Sequence, residues 1–120
     1  MKVLYVEDND DDLYMLKTRL ELLGDFEVLT ARNGEKGCEL AVGERPDIII
    51  MDLEMPVMDG WEATRKIKAN PDLKHIPIIA VTSHAMVGDE IQAREAGCDD
   101  YLPKPVDEEI LIQKIKKFIG

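Results

Sequence analysis

No stretch of this chain carries the roughly 18 consecutive apolar residues that a membrane-spanning helix needs. Acids arrive at Glu7 and Asp8, too early to leave room for the apolar segment of a signal peptide. The chain is therefore read as cytoplasmic. Positive charge is scarce: 15 Lys and Arg stand against 25 Asp and Glu, for a net charge of −10 and no basic block. That balance supplies no cationic footprint for a nucleic-acid backbone or for an anionic membrane surface, so neither is expected as a direct partner. Cysteine is nearly absent. Cys38 and Cys98 lie far apart and form no CxxC pair, so they read as small buried reduced thiols. His75 has no second His or Cys nearby and is a poor metal ligand. There is also no linker, repeat or low-complexity segment, and 120 residues at 45% hydrophobic suit one domain, 1–120, with no output domain attached.

What the chain does have is regular alternation of apolar runs and helical patterns. "KVLYV" is a short strand, followed by a helix with Leu13, Leu16, Leu20 and Leu23 on one stripe and Gly24 as its stop. Residues 26–31 form strand two, and 33–43 form helix two, ending near Gly43. Strand three is continuously apolar from Ile48 to Met51. Residues 59–70 are helix three, 76–82 strand four, 88–97 helix four, 100–103 strand five and 107–119 the last helix. Five β-α units with strands buried on both faces predict an α/β fold, a parallel sheet covered by helices.

The chemistry falls at strand ends. Glu7 and Asp8 follow strand one, Asp52 follows "DIIIM", Thr82 ends strand four and Lys104 follows strand five. In open parallel sheets, ligands bind beyond those ends, where strand order reverses. If strands one and three are neighbours, three carboxylates converge, and that invites a hard divalent cation: Mg²⁺, with Mn²⁺ as the alternative. A carboxylate can also accept a phosphoryl group, whose charge Lys104 and Thr82 would share with the metal. Asp10, Asp11 and Asp12 read instead as the first turn of helix one, where acids complement the helix dipole. Each residue also has a plainer reading: a solvated acid, a surface lysine, a threonine within a strand. The joint placement of all of them favours the functional one.

The motifs "VEDN", "IIIMDLEMPVMDGWE", "IIAVTSHA" and "EAGCDDYLPKP", in this order, resemble those of response-regulator receiver domains of two-component signalling across essentially the whole chain. The resemblance implies a doubly wound, flavodoxin-like, five-stranded parallel sheet in the order 2-1-3-4-5 with five helices. It implies that Asp52 is the phosphoacceptor, that Asp8 ligates Mg²⁺ directly and that Glu7 acts through metal-bound water. The backbone carbonyl of Glu54 matches the third protein ligand. Thr82 and Lys104 match the phosphate-contacting residues, and Tyr101 matches an aromatic rotor coupled to Thr82. The Lys104-Pro105 bond matches a peptide usually cis in the family. Phosphate would come from a phosphohistidine on a sensor histidine kinase or a histidine phosphotransfer protein. The helix 4–strand 5–helix 5 surface would then shift for a downstream protein target or for onward relay. Such a protein promotes its own phosphorylation and dephosphorylation and is not a conventional enzyme.

Glu54 and His84 stand two residues beyond Asp52 and Thr82. They are read either as independent surface groups or as a pair that restricts the hydrolytic water and sets phosphate lifetime. Met15 and Met55 are candidates for partner contact, with core filling as the alternative. An EF-hand at Asp8, Asp10 and Asp12 fails because its sixth and twelfth positions are Leu13 and Arg19. A haloacid-dehalogenase-like phosphatase would need Asp where Glu54 stands. A non-phosphorylated scaffold of the receiver fold is the third reading.

Overall fold

The computed structural model describes residues 1–24, 26–53, 60–82 and 87–119. Glu54, Met55 and His84 lie outside the described residues. The elements run β1 (Lys2–Val6), α1 (Asp10–Leu23), β2 (Glu27–Ala31), α2 (Gly34–Glu44), β3 (Ile48–Asp52), α3 (Gly60–Ala69), β4 (Ile78–Thr82), α4 (Val87–Ala96), β5 (Asp100–Pro103) and α5 (Glu108–Ile119). The strands pair in parallel in the order β2-β1-β3-β4-β5, as the resemblance implies.

Alternation along each strand sorts its side chains onto two faces. Leu4, Val6, Ile49, Met51, Ile78 and Ala80 point into one apolar cluster, closed by Ala41 of α2, Ile67 of α3 and Ala93 of α4. Val3, Tyr5, Ile48, Ile50, Ile79 and Val81 point into the other, closed by Leu13, Leu16 and Leu20 of α1 and by Leu111 and Ile115 of α5. Every residue of β3 and β4 is buried, because helices cover both sides. No helix among the described residues is long and apolar enough to cross a membrane.

Helix starts follow local capping chemistry. Asn9 Oδ1 accepts from the Asp12 N–H at 3.0 Å, and Asn33 Oδ1 accepts from the Lys36 N–H at 2.8 Å. Asp107 Oδ1 does the same for Glu109 and Ile110. Helix ends fall close to expectation, with one buried position misplaced. Leu23 is not on the buried stripe of α1; it is 60% exposed, and the apolar face stops at Leu20. Helix α2 ends near Gly43 as expected, at Glu44, but Arg45 and not the glycine takes the left-handed position, at φ 47°. Gly97 closes α4 as expected, with φ +112°.

Candidate functional site

Strand register builds the site. Val6 of β1 lies beside Met51 of β3, and Asp52 lies beside Val81 of β4. One step further, the Glu7 N–H donates to the Ala31 carbonyl at 2.9 Å, and the Lys104 N–H donates to the Thr82 carbonyl at 2.8 Å. The ladder thus carries Glu7 and Lys104 to the same edge as Asp52 and Thr82. Carboxylate oxygens of Glu7, Asp8 and Asp52 lie within 4.8 Å of one another. Glu7 and Asp52 are each 1% exposed, whereas Asp8 faces solvent.

Lys104 bridges the two buried acids. Its Nζ donates to Glu7 Oε1 at 2.6 Å and to Asp52 Oδ2 at 3.2 Å. The Lys104-Pro105 peptide is cis. Glu7 takes further donors: the Tyr5 hydroxyl at 3.2 Å on Oε1, and the N–H groups of Asp8 and Asn9 at 3.1 and 3.4 Å on Oε2. Burial, and then the Asp52 carboxylate, push Glu7 above the usual carboxylate range against the pull of Lys104. Asp8 is also raised, by its partial burial first and then by Glu7. Burial opposes the charged form of Lys104, but Glu7 and Asp52 outweigh it and hold the ammonium above its ordinary value.

Among the described residues, three acids facing one ammonium leave an excess of negative charge that a hard, oxygen-seeking divalent cation would neutralise. The donor set therefore fits Mg²⁺. Next door, Thr82 is 2% exposed at the end of β4. Tyr101 lies opposite Ala80 in the β4–β5 register and packs, half-buried, on the Leu4 side of the sheet. Alternation gives Thr82 and Ala80 the same side, so Tyr101 and Thr82 share a face. Met15 is 49% exposed and lines a cleft of about 480 Å³ with Tyr5, Leu16, Lys104, Pro105 and Val106. Cys98 is buried and Cys38 half-buried, both free thiols.

Sequence reasoning missed two residues here. Tyr5 was read as one more strand residue, although its place two before Glu7 puts its hydroxyl on the same side of β1. Gly60 was read only as part of helix three. A Cβ there would meet the Asp52 carbonyl oxygen at 2.2 Å and Leu53 Cα at 2.6 Å, so the start of α3 can approach the end of β3 this closely only as glycine.

A doubly wound α/β domain with an acid cluster and a lysine at its strand ends has the donors to take a divalent cation and an anionic group there. The family model for the response regulator receiver domain matches residues 3–116, and the chain belongs to that family. It is similar to the polar-differentiation response regulator DivK of Brucella anthropi, 40% identical over 98% of this chain and 95% of the relative. Among solved structures it is similar to the receiver domain of the sensor histidine kinase PA1611 from Pseudomonas aeruginosa, described with a magnesium ion in the active-site cleft. That match has a TM-score of 0.91 at 35% identity, covering 99% of this chain and 97% of that one. The chemotaxis protein CheY4 of Vibrio cholerae matches with a TM-score of 0.91 at 30% identity, over 98% of each chain. The protein is thus a receiver domain of two-component signalling, a phosphoacceptor signalling domain and not a conventional enzyme. The haloacid-dehalogenase reading falls with that membership.

Proposed function

We propose that Asp52 is the phosphoacceptor of this receiver and that Glu7, Asp8 and Asp52 hold Mg²⁺, or Mn²⁺, together with the Glu54 backbone carbonyl. The observation that carries the reading is the meeting of three carboxylates within 4.8 Å under a single bridging lysine. When bound, the metal supplies positive charge to the phosphoryl oxygens. An Asp52 oxygen attacks phosphorus, the P–N bond of a donor phosphohistidine breaks, and the imidazole nitrogen keeps the electron pair. Asp52 is buried, so transfer requires a group over it to give way; Lys104, which touches it and is 22% exposed, is the group this reading moves. Lys104 then donates to the new phosphoryl group, as does the Thr82 hydroxyl. Thr82 moves inward, Tyr101 follows on the shared face, and the α4–β5–α5 surface shifts toward a downstream protein or an onward phosphate acceptor.

The donor in this reading is a sensor histidine kinase or histidine phosphotransfer protein in the cytoplasm, with Met15 and Met55 meeting its helices. Glu54 and His84 set the phosphate lifetime by restricting water, and the domain promotes its own phosphorylation and dephosphorylation. Incubation with Mg²⁺ and acetyl phosphate, followed by peptide mass mapping, tests the assignment. A phosphoryl adduct on the Asp52 peptide is expected, absent from Asp52→Asn. No adduct from acetyl phosphate or from any candidate kinase would favour the non-phosphorylated scaffold.

A further inference from the structure

Among the described residues, Glu7 is held by four donors that fall into two pairs. Oε2 accepts from the main-chain N–H groups of Asp8 and Asn9, fixed by the chain's entry into α1. Oε1 accepts from Lys104 Nζ at 2.6 Å and from the Tyr5 hydroxyl at 3.2 Å. The second pair is unequal. Lys104 also reaches Asp52 and, on the reading above, moves toward the phosphoryl group. Tyr5 cannot follow: it sits on β1, 2% exposed, within the apolar cluster that includes Leu13, Leu16 and Val81.

We propose that Tyr5 is a positioning residue whose hydroxyl holds Glu7 Oε1 in place when Lys104 leaves it for phosphorylated Asp52. The inference rests on the roles proposed for Asp52 and Lys104. A buried carboxylate that loses a donor bears the desolvation of that oxygen. With Tyr5 present, Lys104 can depart and Oε1 keeps a partner. Without it, departure of Lys104 leaves Glu7 Oε1 only what the bound metal supplies, and the phosphorylated state becomes harder to reach. Core packing alone would be met by phenylalanine. A hydroxyl buried at this point of the strand is stable only because Glu7 accepts from it.

The test is Tyr5→Phe, which keeps the ring. Calorimetry with Mg²⁺ and beryllofluoride, a phosphoryl mimic, should show affinity reduced by about tenfold, the low end for a hydrogen bond to a charged group. The rate of labelling by acetyl phosphate should fall comparably. The urea stability of the unliganded protein should barely change, since Lys104 still serves Oε1. In a Lys104→Met background the same substitution should cost the unliganded protein clear stability, because Oε1 then has neither donor. Unchanged beryllofluoride affinity, or lost stability with unchanged affinity, would overturn the proposal. So would failure of Tyr5→Phe to fold, which would make the hydroxyl a requirement of the resting state. Wild-type protein that binds no beryllofluoride would defeat the Asp52 assignment itself; wild-type binding with an indifferent Tyr5→Phe would defeat only the role of Tyr5.

Discussion

Replacing Asp8 with Asn should make the metal-free protein more stable while removing its response to Mg²⁺. Asp8 shares a site with Glu7 and Asp52, with carboxylate oxygens within 4.8 Å. At that separation each like-charge pair costs about 1 kcal/mol in a water-like medium and about 3.5 kcal/mol at an effective dielectric constant near 20. Asp8 is exposed, so the screened value applies. Two such repulsions, less the attraction to Lys104 that is also lost, leave a net gain of about 1 kcal/mol. For a domain of this size that is a rise of about 4 °C in Tm. The assay is urea or thermal unfolding at neutral pH and low salt, first with chelator and then with Mg²⁺. In chelator the variant should be the more stable, by a margin that shrinks as salt is added. With Mg²⁺ at a hundredfold excess over Kd, wild type should gain about 2.7 kcal/mol and the variant far less, so the order reverses. A variant no more stable than wild type in chelator, or one that gains as much from Mg²⁺, would refute the reasoning.

Three further outcomes are expected. Glu7 and Asp8 both have native pKa values above their unfolded ones, so they bind protons on folding, and metal-free stability should rise as pH falls from neutral toward 5. Burial opposes ionisation of Asp100, but Lys114 and the Tyr101 N–H outweigh it and lower its pKa; its contribution is present above about pH 3.9 and lost as pH falls through the native value. A urea midpoint in chelator that falls steadily from pH 7 to 5 would contradict this balance. Lys114→Met removes the cation 2.9 Å from buried Asp100 and should cost about 1–2 kcal/mol in a urea titration, with little change in Mg²⁺ affinity. Gly60→Ala drives a Cβ into the main chain at Asp52 and Leu53 and should cost about 3 kcal/mol, together with a clear loss of Mg²⁺ affinity by calorimetry.

The sheet was legible because strands three and four carry unbroken apolar runs, which only a two-sided cover of helices can satisfy. The acids were legible as strand-end residues for the same reason: the runs stop where they stand. Their meeting was not, since nothing local says that β1 lies beside β3; that order came with the family resemblance. The contact of Lys104 with Glu7 spans 97 positions and has no sequence signal of its own. The cap of α2 was not legible, because a non-glycine, Arg45, takes the left-handed position usually left to glycine. Leu23 departs from expectation because the apolar periodicity continues past Leu20, the last buried position of α1. Tyr5 escaped notice because a tyrosine within a strand is ordinary until its hydroxyl is found on a buried carboxylate.

The claim beneath the rest is that positions 7, 8, 52, 82 and 104 close around one metal and one phosphoryl group. A crystal structure grown with Mg²⁺ and beryllofluoride tests it most directly. Beryllofluoride is expected on an Asp52 oxygen, contacted by Lys104 and the Thr82 hydroxyl, with the metal among Glu7, Asp8 and Asp52. Beryllofluoride bound elsewhere, or a metal that leaves Asp8 and Asp52 untouched, would contradict it.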